Sequence, residues 1–205
     1  MDITAEHRIQ ELYKQYLDVV CPFIIELETE DGEFPVEILN EIRAITTHLA
    51  RFSIGTDAEI SIKELSKAES HLKRAILDCF KYSCLSISMK HQKLRYDYRN
   101  ADLHIIDNGT FLSNLNQLEL AAKKSIKDAK RAEIDGNKTD DELYSLYEIA
   151  YQNTSDMYSC LENSLKKLEF AKSIADKNKK FSILSFIVGI LGLIVGVAGI
   201  IIAFI

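Results

Sequence analysis

"FPVEILNEIRAITTHLARF", from Phe34 to Phe52, reads as one amphipathic helix. Its apolar residues Ile38, Ile42, Ile45, Leu49 and Phe52 recur at alternating steps of four and three, which keeps them on one helical face. Pro35 suits the first helical position, where an N–H would have no partner in any case. A second stripe of the same kind joins Leu143, Leu146, Ala150, Met157, Leu161 and Leu168. No stretch alternates with a period of two, so strands are not expected.

Working outward, the glycines and prolines punctuate the chain. Four of the eight glycines lie in the last 25 residues; the others, Gly32, Gly55, Gly109 and Gly136, each sit in a polar break. Glycine commonly ends a helix, so these breaks predict five helical pieces, at 3–30, 35–54, 57–107, 110–134 and 139–205. Pro22 is expected to kink or interrupt the first piece. "TDDE", Thr139 to Glu142, is a capping box that opens the last. The expected architecture is an all-α antiparallel helical bundle with long helices, the last continuing into a single C-terminal transmembrane helix.

That last expectation rests on "FSILSFIVGILGLIVGVAGIIIAFI", Phe181 to Ile205, which carries no charge over 25 residues. A helix of this length spans about 37 Å, enough for a hydrocarbon core of about 30 Å. Lys177, Lys179 and Lys180 stand just before it and are placed to meet lipid headgroups. Positive flanks favour the cytoplasmic side, and "MDITAEHRIQ" has no signal-peptide pattern. The expected organisation is therefore a cytoplasmic bundle, 1–180, and an anchor, 181–205, in the inner (plasma) membrane as a single-pass protein. Within the tail, Ser185, Gly189, Gly192, Gly196, Gly199 and Ala203 are spaced 4, 3, 4, 3, 4. All the small residues thus share one face, which predicts a homo-oligomer seam through close helix approach.

The charges narrow the function classes. A net charge of −6 argues against bulk electrostatic binding of nucleic acid, so RNA is a disfavoured partner. Residues 26–41 hold seven acids and no base, while 166–180 hold six lysines against Glu169 and Asp176. Cys21, Cys79, Cys84 and Cys160 are scattered without zinc-ligand spacing, as reduced core thiols would be. The chain shows no phosphate-binding glycine loop, no His-Glu-x-x-His and no Gly-x-Ser-x-Gly. No metal or cofactor is expected.

Two segments pair arginine with histidine five residues on: "RAITTH" (Arg43, His48) and "RNADLH" (Arg99, His104). Arg-polar-x3-His in an all-helical domain resembles the motif of the HEPN superfamily. "RNADLH" has the polar second residue, and "RAITTH" has Ala44 there. "FPVEILNEIRAITTHLARF" and "AESHLKRAILDCFKY" together are similar to membrane-bound HEPN-like proteins of antiviral defence, among them those that accompany the type VI-B CRISPR ribonuclease. The resemblance implies a small, commonly dimeric bundle and a partner among defence nucleases. It also implies a metal-independent ribonuclease site, with histidine as acid or base and arginine on the phosphate. Against catalysis, residues five apart on a straight helix point about 140° away from each other. Three functions follow. The first is a tail-anchored defence effector that self-associates and perturbs the membrane, or forms a pore in it. The second is a tethered ribonuclease using Arg99 and His104, with Arg43 and His48. The third is a tail-anchored adaptor with no activity of its own.

Overall fold

The computed structural model describes the backbone of residues 3–32 and 34–203, with side chains except those of 3, 30, 31 and 195–203. Among the described residues the chain is helical, with no strand. α1 (Ile3–Gln15) runs through a π-helical turn (Tyr16–Val20) into α2 (Cys21–Asp31). α3 (Val36–Ile54) and α4 (Ala58–Asp97) follow, then a 3₁₀ segment (Leu103–Gly109), α5 (Thr110–Asp135), α6 (Asp140–Glu162) and α7 (Leu165–Ala203).

The local signals explain most of these boundaries. Pro22 has no N–H to donate, so the preceding turn widens and Cys21 N–H bonds Tyr16 O, five residues back. The helix bulges there instead of stopping. Gly32 adopts φ 68° beyond α2, a left-handed conformation that costs glycine little. Thr139 caps α6: Glu142 N–H donates to Thr139 Oγ1 at 3.3 Å, and Thr139 N–H donates to Glu142 Oε2 at 2.9 Å. Two boundaries differ from the sequence reading. α4 stops at Asp97, ten residues short of the expected 107, and the expected last helix is broken between Glu162 and Leu165.

The chain forms two compact units, one from Met1–His91 and Gln117–Ser159, the other from Gln92–Asn116 and Cys160–Ile205. In the first, α4 is buried along Leu65, Ala68, Leu72, Ala75, Ile76, Cys79 and Phe80, which face inward at steps of three and four. Ala68, Ala75 and Cys79 are small, and small contact residues let helices approach closely. Around them pack Leu12, Val20, Phe23 and Leu27 from the first helices, Ile38 and Ile45 from α3, Ala129 from α5 and Tyr147 from α6. Phe80 is the aromatic centre, edge-on to Phe23 at 5.0 Å and to Tyr144 at 5.3 Å.

The second unit is smaller. Ile106, Phe111 and Leu115 pack with Leu161, Leu168 and Ala171. Asp107 and Asn108 take positive φ, 48° and 53°, ahead of Gly109 at 86°. Lys167 Nζ holds this turn by donating to both Asp107 carboxylate oxygens, at 2.9 and 2.7 Å. Lys172 donates to Asp97 O at 3.0 Å. Part of the lysine-rich segment is therefore occupied within this unit.

The structure corrects the expected transmembrane helix. Among the described residues, no helix is long and apolar enough to cross a membrane. α7 has 39 residues, but its first half carries Lys166, Lys167, Lys172, Asp176, Lys177, Lys179 and Lys180. The apolar stretch with described side chains runs from Phe181 to Ile194. The single-pass inner-membrane location, with residues 1–180 in the cytoplasm, is withdrawn with it. The backbone of α7 passes residue 180 without a break. The side chains of Gly196, Gly199 and Ala203 lie outside the described residues, as do Phe204 and Ile205 altogether.

Candidate functional site

A cluster of titratable side chains that contact one another lies where α3 packs on α4. Asp57 starts α4, its carboxylate accepting from Ile60 N–H at 3.0 Å, so the chain reverses within a few residues of Gly55. Down the antiparallel seam His48 Nδ1 meets Glu64 Oε2 at 2.7 Å, and His71 Nδ1 meets Glu41 Oε2 at 2.6 Å. Glu41 and His48 are two turns apart on α3, and Glu64 and His71 are two turns apart on α4, so the pairs are reciprocal. Side chains lean toward the N-terminus of their own helix. On antiparallel helices the two imidazoles therefore lean toward each other, and their rings stack at 5.1 Å with 19° between planes.

The electrostatics are those of a lock. Lys67 Nζ donates to Glu64 Oε1 at 2.5 Å, and Arg51 Nη1 stands 3.8 Å from Oε2. The Lys67 bond, followed by the His48 bond, holds the Glu64 carboxyl down at about 2. Glu64 is thus ionised at neutral pH and only accepts, so His48 Nδ1 carries the proton it donates. Both imidazole side chains are mostly covered, 14% and 19% exposed. Among the described residues neither ring is hydrogen-bonded to a hydroxyl or thiol that could serve as nucleophile. Among them, too, no group of three or more His, Cys, Asp or Glu is placed to hold a metal ion. The cluster ties α3 to α4 and fixes their register.

The expected arginine–histidine pairs are placed differently. His48 turns into the α3–α4 seam while Arg43, on the same helix, stays in solvent. Arg99 folds back on its own turn, its guanidinium 4.0 Å from the Tyr96 ring centre and donating to Tyr96 O at 2.8 Å. His104 is exposed, and its backbone N–H donates to Asp102 Oδ1 at 3.1 Å. The irregular turn at Asp107–Gly109 is present, but among the described residues no hydrogen bond joins Arg99 to His104. Sequence reading passed over Glu41, Glu64 and His71. The signal that finds them is the repeated seven-residue step, Glu41 to His48 and Glu64 to His71, on two helices joined by a short turn.

A second feature is a surface. From Phe181 to Ile194 every residue of α7 is exposed, including Phe181 at 72% and Leu193 at 69%. Ser185, Gly189 and Gly192 lie on this stretch, and a Cβ added at either glycine meets nothing within 4 Å. Lys177, Lys179 and Lys180 are exposed just before it. Compared with protein-family models, curated proteins and solved structures, the chain matches none of them.

Proposed function

We propose that the protein is a non-enzymatic helical adaptor that self-associates through the apolar end of α7. The observation that carries this is the exposure of the whole stretch from Phe181 to Ile194. Soluble monomers rarely expose contiguous apolar patches above a few hundred Å², and each Å² buried contributes about 25 cal/mol. An all-round apolar helix gains most when other helices surround it. A second copy offers the same helix, and small residues at Ser185, Gly189 and Gly192 let the backbones approach closely. The first unit, closed by its own core and by the α3–α4 lock, is the body such an assembly presents. The non-enzymatic reading is favoured over a ribonuclease by the engagement of His48 with Glu64 and of Arg99 with Tyr96.

Sedimentation of the full-length chain tests the proposal. Wild type is expected as an oligomer at micromolar concentration. Gly192→Leu, which meets no obstacle within the chain, should weaken it by holding neighbours apart. Ile190→Glu with Leu193→Glu should give monomers of unchanged helicity. A monomeric wild type, or one that floats with phospholipid vesicles as a monomer, overturns the reading.

A further inference from the structure

α5 engages two of its acids with neighbouring helices and leaves its bases in solvent. Glu119 lies 3.3 Å from the buried His91 ring, and Glu133 accepts from Lys81 Nζ at 2.6 Å and from the Tyr147 hydroxyl. Lys123, Lys124, Lys127, Lys130 and Arg131 are all exposed, and none forms an ion pair with a described residue. At 100° per residue these five cations occupy an arc of about 120° and a length of about 12 Å. The opposite face carries Ala122 and Ala129, which are buried. Asp128 and Asp135, both exposed, border one edge of the arc.

The stripe is also bounded by apolar side chains. Leu120, 68% exposed, and Ile134, 83% exposed, fall inside the same arc, with Lys127 midway between them. They are fourteen residues apart, two heptads, which places them on one seam about 21 Å long. We infer that this face of α5 docks an acidic amphipathic helix of a partner protein, with Leu120 and Ile134 as the apolar anchors and the five cations facing its carboxylates. Helix recognition uses apolar anchors in this register, and complementary charge sets partner and orientation. Lysine stems cover the apolar seam while their ammonium groups reach the partner's acids.

The other polyanions fit less of the surface. A nucleic-acid backbone would take up the cations, but it would leave Leu120 and Ile134 unburied, and the stripe has no aromatic ring on which a base would stack. An anionic lipid surface is held by an apolar face that inserts, and the inward face of α5 is spent on Ala122 and Ala129 in the fold. The proposal is independent of self-association through α7.

Fluorescence anisotropy with the full-length chain tests it. The probe is a labelled synthetic helix of about three heptads, with leucine once per heptad and glutamate on the flanking positions. It should bind, and raising the salt from about 50 to 300 mM should weaken binding several-fold. Lys123→Glu, Lys127→Glu and Arg131→Glu together should weaken it at least about tenfold. Leu120→Ser with Ile134→Ser should weaken it by a similar factor, and more evenly across salt. All five side chains are exposed, so circular dichroism of both variants should match wild type. No binding of the probe, equal binding by the charge-reversed variant, or tighter binding of a 20-nucleotide RNA or of phosphatidylglycerol vesicles would overturn the proposal.

Discussion

Replacing Phe80 with alanine tests whether the first unit is held together as described. Phe80 is 4% exposed and meets three rings, Phe23 at 5.0 Å and 74°, Tyr144 at 5.3 Å and 81°, and Tyr151 at 5.8 Å and 51°. Truncating a buried phenylalanine costs about 3–5 kcal/mol in lost transfer energy and residual cavity. Each well-oriented aromatic pair adds about 0.5–1.5 kcal/mol beyond area, and two of these contacts are edge-to-face. Two helices, α2 and α6, hold the surrounding rings, so collapse into the gap is restricted. Phe80→Ala is therefore expected at the upper end, about 4–5 kcal/mol. At about 2–4 °C per kcal/mol for a chain of this size, that lowers the melting midpoint by about 10–15 °C. Phe80→Leu keeps most of the volume and should cost about 1–2 kcal/mol. The assay is urea unfolding followed by circular dichroism, with the denaturant slope checked for constancy. A cost below about 1.5 kcal/mol for Phe80→Ala at unchanged slope would refute the reasoning, because no packed aromatic centre yields so little.

The α3–α4 lock predicts an acid dependence. Glu64 is held at about 2 against an ordinary 4.5, so its stabilisation is complete above 4.5 and is lost as pH falls toward 2. Burial raises the Asp78 carboxyl, which acts with opposite sign, but it is common to wild type and variant. Unfolding midpoints of Glu64→Gln should therefore fall less steeply than wild type over that window, and parallel curves would exclude the lock. Thr139→Ala removes the cap of α6 and should cost about 1 kcal/mol in the same urea melts; no change would mean that the box contributes nothing. Arg99→Ala loses its contact with Tyr96 and should cost under about 1 kcal/mol. RNA cleavage by the purified chain that disappears in Arg99→Ala or His104→Ala would reverse the non-enzymatic assignment.

Local signals were enough for the helical class and for several helix ends. The Phe34–Phe52 stripe places Ile38 and Ile45 in the core because side chains repeating at 3.6 residues leave one face to bury. The α2 end at Gly32 and the α6 start at Thr139 follow from backbone freedom and a side-chain cap, which act within one turn. The break at Asn163 and Ser164 carries no glycine or proline, and α4 ends at Asp97 without either, so neither was legible. The tail misled for a related reason. Hydropathy counts apolar residues in a row, and among the described residues no helix is long and apolar enough to cross a membrane. The site depended on tertiary structure still more. Arg43 and His48 are near in sequence but point to different surroundings, while His48 meets Glu64 and His71 meets Glu41 only because α3 reverses onto α4 in one register. A helix face is set by periodicity along the chain; which residues meet across two faces is set by the turn that joins them and by small residues such as Ala68 that let the helices close.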